Sequence, residues 1–497
     1  IAKVVTKKRV KKIEIFDEHS LRNKNIKFNE FYEDITSGLY KNDRDAAQKL
    51  YGCTPKDAKY RQLKSRFRKR LLNTLFFLDV NKPSTSNYDQ AHFTCHKEWT
   101  LVKILQHNGA HQAAITQAKS ILTTAQKFQI SEIVVNCARL LREYAAKADK
   151  AKDFEHYDKL LKEYSNRLES EIRAEELYQR VIIDYHRPLD ADNDLMDRIA
   201  TYGNTLLSLS EIYPSPLINI NMFLVWAMNY EINRQYSALI EVCDRAEKYL
   251  EEHPDAYQEE RLITFFTKKM SAYLHLGDYL KGRVNAEQCL NKFPEGSRPW
   301  FNFMEYYLLL ALHTEHYTQA MAIYNRTVGH QKFRKLEQDT REKWQLFEAS
   351  LQFALYHSPY RKKLSPTNRR EPFDEDKFST QVFHFGSKKK ILQFHFLALK
   401  CCFLIQKRQL IAARDVVDDL QKLANRSLDK KAHVRPINFV RLLLQLRKAN
   451  FVIDETRNVD KYLGVIEAHP FTYRGVLSQL EALPLEQLWK LLASRLG

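Results

Sequence analysis

The stretch LGDYLKGRVNAEQCLNKFP, residues 276–294, decides how this chain is built. Gly277-Asp278 predicts a turn, because glycine tolerates positive φ and Asp bonds nearby backbone amides. After it Tyr279, Gly282, Ala286 and Cys289 recur at spacings of three, four and three. That is one face of an α-helix, and its small residues let a second helix approach closely. Pro294 ends the unit, since it lacks an N–H and biases Phe293 away from helical angles.

Working outward, the next helix opens at Ser297 with Trp300, Phe303 and Tyr307 on one face. A second pass follows, Glu315-His316-Tyr317 leading into Ala320, Tyr324 and Thr327. The Gly-Asp-Tyr turn, the small residue three on and the Pro fifteen after Tyr resemble the second helix of a tetratricopeptide repeat. Trp300 and Tyr307 stand where that family's first-helix Trp and Tyr stand. Weaker copies begin at Gly109-Ala110-His111, Lys152-Asp153-Phe154, Gln235-Tyr236 and Gln409-Leu410. Anchors 236, 279 and 317 lie 43 and 38 residues apart, against a family period of about 34. The resemblance therefore reads as TPR-like, strongest over 265–330. It implies an all-α solenoid of antiparallel helix pairs whose inner surface holds a peptide or a partner domain.

Composition agrees with helices. Twelve Gly and 14 Pro in 497 residues leave few breakers. The best strand candidate, Gln381–Phe385, is short. Seven scattered cysteines, an odd number, suit a reducing compartment better than a disulfide framework. The longest apolar run, Ile391–Ile405, contains Gln393, His395 and Lys400 and is too short and polar to cross a bilayer. The expectation is a cytoplasmic protein with no membrane partner.

Net charge is +18, which bears on partners rather than on fold. Two segments concentrate it. Lys3, Lys7, Lys8, Arg9, Lys11 and Lys12 form a basic arm. Lys56, Lys59, Arg61, Lys64, Arg66, Arg68, Lys69 and Arg70 stand against the single Asp57. Tyr60, Leu63, Phe67 and Leu71 give the second segment an apolar stripe, so it predicts a basic amphipathic helix. Three readings fit it: contact with a phosphate backbone, contact with an acidic protein, or a solvated face on an end cap.

Four regions follow: a basic N-terminal arm and helical cap over 1–85, TPR-like repeats over 86–357, a basic linker or insertion over 358–390, and C-terminal helical repeats with a cap over 391–497. Pro436 precedes a helix carrying Phe439, Leu442 and Leu446. Pro484-Leu485-Glu486 starts the last helix.

Two constellations invite chemistry. His92, Cys95 and His96 share helical spacing but lack an obvious fourth ligand for zinc. Asp190, Asp192 and Asp194 begin like a calcium loop, yet Leu195 stands where Gly is needed. There is no nucleophile elbow, phosphate-binding Gly loop or zincin motif. The sequence thus predicts a non-enzymatic scaffold for a protein or peptide partner, without metal or cofactor. A second reading is a nucleic-acid-binding helical protein that uses residues 3–12 and 56–70.

Overall fold

A computed structural model describes residues 27–40, 42–75, 86–185, 193–256, 259–356, 373–380, 390–475, 479–494 and 496. Among them are 21 α-helices and no strand, so the chain is all-α as expected. The basic arm, Asp190, Asp192, the strand candidate 381–385 and most of the linker lie outside the described residues.

The chain divides into two compact units, Ile1–Leu168 with Pro254–Gln258, and Glu169–His253 with Glu259–Gly497. The first holds α1 (Lys27–Ser37), α2 (Asp43–Tyr51), α3 (Ala58–Leu75), α4 (Asn87–His107), α5 (His111–Lys127) and α6 (Ser131–Lys147). α7 (Ala151–Tyr185) contains the point of division. The second unit continues with α8 (Asn193–Ile212), α9 (Pro216–Ile232), α10 (Tyr236–Glu252), α11 (Glu259–Leu276), α12 (Tyr279–Cys289), α13 (Arg298–His313), α14 (Tyr317–Gly329) and α15 (Gln338–Tyr356). It ends with α16 (Glu375–Thr380), α17 (Lys390–Gln406), α18 (Leu410–Ser427), α19 (Val434–Lys448), α20 (Val459–Ala468) and α21 (Leu485–Ala493). Sequential helices pack on one another, as α4 on α5, α10 on α11 and α17 on α18.

One turn recurs between them. At Gly109, Gln129, Asp149, Arg234, Gly277, Glu315 and Arg408 φ lies between 53° and 75°. In each case the next residue's N–H bonds the carbonyl five positions back, as Asp278 to Tyr273 at 3.1 Å and Gln235 to Tyr230 at 2.8 Å. This closes carbonyls that a helix end leaves without partners. The next helix starts immediately, at His111, Tyr236, Tyr279, Tyr317 and Leu410 among others. Five of the seven turns carry no glycine. The left-handed residue costs roughly 1–2 kcal/mol, offset by the carbonyls it satisfies. Glycine therefore marks only two of the turns, at Gly109 and Gly277.

Two expectations are corrected. Lys152-Asp153-Phe154 is no turn; it lies inside α7, and Ala148–Lys150 turns instead, through Asp149. Pro436 does not precede its helix but sits buried in the first turn of α19, where a missing N–H costs no intrahelical bond.

The residues that decided the reading form the core of the second unit. Trp300, Ala286 and Ala320 have no exposed surface, Tyr279 and Tyr317 are buried, and Tyr307 is half-buried. Gly282 is a close approach: a β-carbon there would stand 2.3 Å from Leu310 Cδ2 and 3.1 Å from Tyr273 Cβ. Pro294 is exposed beyond the turn of 3-10 helix that ends the α12 segment.

Candidate binding surfaces

The basic helix is built as its spacing predicts. Tyr60, Leu63, Phe67, Leu71 and Thr74 of α3 are buried, packed with Phe28 and Phe31 of α1 and with Ala46, Ala47 and Leu50 of α2. Phe67 meets Phe31 at 4.9 Å and Phe28 at 5.2 Å between ring centres. The back of α3 is thereby fixed, and its cations must face out.

They do so unequally. Lys64 pairs with Asp43, which also accepts a 2.9 Å hydrogen bond from the Tyr60 hydroxyl. The Lys64 hydrogen bond holds the Asp43 carboxyl below the usual carboxylate range. Arg70 is half-buried, its guanidinium 4.9 Å from the Phe28 ring centre. Lys56, Lys59, Arg61, Arg66, Arg68 and Lys69 are exposed. Among the described residues none of these six has an ion-pair partner. Arg61, Lys64 and Arg68 stand one turn apart along an open depression completed by Ala58, Gln62 and Ser65.

The second unit treats charge differently, and most of this was not legible in the sequence. Glu231, at the end of α9, is 3% exposed. Its carboxylate accepts hydrogen bonds from Tyr185 at 2.6 Å, from Ser271 at 2.7 Å and from the Lys268 ammonium. Burial pushes this carboxyl upward, but Lys268 and the donors outweigh it and hold it below its ordinary value. Glu305 of α13 is likewise buried between the Lys343 ammonium and the Tyr473 hydroxyl. Every carboxylate oxygen of the two acids has a donor, so neither is a free base.

Tyr473 lies between α20 and α21, where the described residues 471–474 and 480–481 meet α11, α13, α17 and α19. Two half-buried imidazoles hold its backbone, and a third lies close to it. His275 donates from Nδ1 to the Ser271 carbonyl at 2.7 Å, which leaves Nε2 to accept the Tyr473 N–H at 2.9 Å. His313 Nε2 donates to the Glu481 carbonyl at 2.8 Å. His395 is buried close to the backbone of Leu480. Burial pushes His313 and His395 each down to about 4, and lowers His275 too.

Side chains of the segment are read as well. The Arg474 guanidinium donates to the Tyr185 carbonyl at 2.9 Å and lies 5.0 Å from that ring. Phe471 packs on His313 at 4.6 Å and stacks on His275 at 5.5 Å. Arg435 of α19 grips Glu481 with two 2.8 Å bonds, and also bonds Glu486 and the carbonyls of Ile466 and His469. Gln487 donates to the Tyr317 hydroxyl.

A partial signal existed for the acids. Glu231 ends a helix with no other charge, and Glu305 is the one acid in the apolar α13. A lone carboxylate in such a helix requires a buried donor. Nothing local told that one of Glu305's donors is the hydroxyl of Tyr473, 168 positions away.

The other constellations bring less together. His92 and His96 meet with Nε2 atoms 3.3 Å apart, while Cys95 is buried. Among the described residues no three His, Cys, Asp or Glu are placed to share a metal, and no helix is long and apolar enough to cross a membrane. No family model, no curated protein and no solved structure matches this chain.

Proposed function

We propose that this chain is a non-enzymatic, TPR-like scaffold of antiparallel helix pairs, and that the basic face of α3 is where an acidic protein segment docks. The recurring interhelix turn supports the repeat reading, because identical turns set successive helix pairs in similar geometry. One observation carries the docking site: six exposed cations on or beside one helix without acidic partners, above an apolar back that fixes their direction.

An acidic protein is favoured over single-stranded nucleic acid by the aromatic residues. Base stacking needs exposed rings, and Tyr60 and Phe67 of α3 are both buried. A duplex phosphate backbone is the second reading, favoured by the turn-to-turn spacing of Arg61, Lys64 and Arg68.

The test reverses Arg61, Arg66, Arg68 and Lys69 to Glu. Lys64 and Arg70 stay, because Asp43 and Phe28 engage them. Partners captured from the native host are compared with and without nuclease. Loss of an acidic protein in the reversed variant, with nuclease having no effect, supports the reading. Loss on nuclease treatment, with a salt slope shallower by roughly one unit per removed phosphate contact, moves the assignment to nucleic acid. Unchanged capture ends both.

A further inference from the structure

On α19, Arg441, Leu444, Gln445 and Lys448 recur at spacings of three, one and three, which is one face of the helix. The opposite face, with Phe439, Leu442, Leu443 and Leu446, is buried. α19 packs on both α18 and α20. Its polar face forms a pocket of about 310 Å³ together with Gln421 of α18 and Tyr462 of α20. Arg447 completes the polar lining, and Leu444 is its aliphatic wall.

Every polar side chain in this lining can donate a hydrogen bond, and among the described residues no carboxylate lines it. Arg447 is balanced by Asp418 of α18. Arg441 donates to the Asn438 amide oxygen at 3.1 Å. Among the described residues neither Arg441 nor Lys448 has an ion pair, so two positive charges are left over at one pocket. The amides of Gln421 and Gln445 and the Tyr462 hydroxyl likewise have no hydrogen-bond partner among the described residues. Closing the helix end does not occupy these cations. The carbonyls of Gln445, Leu446 and Arg447 already accept the N–H groups of Ala449, Phe451 and Asn450 at 2.9–3.1 Å.

Convergent donors with two surplus positive charges call for a dianion with several acceptor oxygens. A phosphate monoester has that make-up, with a charge of about −1.5 to −2 at neutral pH and three acceptor oxygens. A carboxylate offers a single charge and two oxygens. The pocket lies at the lower end of the roughly 300–1,000 Å³ of small-ligand sites. That leaves room beside the phosphoryl group for a short organic body against Leu444 and the Tyr462 ring. We propose that this pocket binds a small phosphate monoester. Arg441 and Lys448 neutralise the phosphoryl group, while Arg447, Gln421, Gln445 and the Tyr462 hydroxyl supply its hydrogen bonds. The pocket lies wholly in the second unit, and the inference does not depend on the assignment of α3.

The experiment titrates phenyl phosphate into the full chain at physiological salt and reads binding by calorimetry. One molecule should bind per chain, about tenfold or more tighter than benzoate, which has the ring but a single charge. Arg441→Gln/Lys448→Gln removes the surplus charge and should weaken binding about tenfold or more. Gln421→Leu/Gln445→Leu keeps every charge and should weaken it severalfold, which a mere excess of cations would not do. All four side chains are exposed or half-buried, so both variants should unfold at the wild-type midpoint. The two pairs are independent, and loss of fold in one leaves the other as the test. Reversing Arg61, Arg66, Arg68 and Lys69 to Glu should leave the affinity unchanged. The proposal is wrong if phenyl phosphate does not saturate at millimolar concentration, or binds no better than benzoate. It is equally wrong if Gln421→Leu/Gln445→Leu binds as wild type does, because charge alone then held the ligand. A phosphoserine peptide binding about tenfold tighter than phenyl phosphate would overturn the small-molecule assignment.

Discussion

On and just before α3 six cations face solvent without an acidic partner, whereas in the second unit Glu231, Glu305 and Arg435 are buried with each charge surrounded by donors or acceptors. The same residue types thus do opposite work. An exposed charge contributes little to stability and is available to another molecule. A buried charge contributes nothing to an outside partner while its network holds, and becomes very costly when one member is removed. If this contrast is right, equal-sized edits in the two regions must have unequal consequences.

The largest effect should follow Arg435→Ala. It strips the bidentate partner from Glu481 and the donor from two carbonyls. Removing one member of a buried pair costs about 3–5 kcal/mol, which urea unfolding would register as a large fall in the midpoint. A loss below 1 kcal/mol would mean that the network is hydrated and the contrast overstated.

Acid should sharpen the comparison next. His313 and His395 are held near 4, and His275 below its ordinary value, mainly by burial. The unfolded chain binds protons on these imidazoles below about pH 6.5, which the folded state resists. Stability is therefore full above that pH and is lost progressively as pH falls toward 4, by a few kcal/mol in sum. The Glu481 carbonyl facing His313 opposes this, while His275 and Arg435 reinforce it. Chemical unfolding of wild type between pH 7 and pH 4.5 should show the fall, and His313→Gln/His395→Gln should flatten it.

Glycine separates packing from backbone strain. Gly282→Val drives a branched side chain into Leu310 and Tyr273 and should cost about 1–3 kcal/mol. At Gly277 a β-carbon meets nothing within 4 Å, so only φ of 66° opposes substitution. Gly277→Val should cost roughly 1–2 kcal/mol, and Gly277→Asn less, because Gln129, Asp149 and Glu315 already hold equivalent turns. Thermal melts of the three variants give the order.

The sequence was readable where structure depends on near neighbours. The apolar stripe 60-63-67-71 and the cations beside it lie within one helix, so helical spacing predicted both the buried face and the exposed one. The anchors Tyr236, Tyr279 and Tyr317 begin helices as their spacing required. What stayed hidden was tertiary. Arg234, Glu315 and Arg408 take the left-handed conformation because the helix ends around them need a partner, and no residue-type rule marks them. The segment around Tyr473 carries no motif that marks it. Its role depends on Tyr185, His275, Glu305 and Arg435, brought to it by the fold.

The smallest expected effect on stability is the most telling for the contrast. Reversing Arg61, Arg66, Arg68 and Lys69 to Glu changes the net charge by eight, since each site goes from plus one to minus one. Among the described residues none of the four has an ion pair to lose, and none of their side chains is buried. Surface changes away from caps and cores usually stay within about 0.5 kcal/mol. Relief of repulsion among the cations would even favour the variant slightly at low salt, with screening removing that gain near 0.15 M. The unfolding midpoint in physiological salt should therefore match wild type, while retention on an acidic matrix falls. A shift of the midpoint by several degrees would mean that these cations are bound to something within the chain, and the surface would no longer be free for a partner.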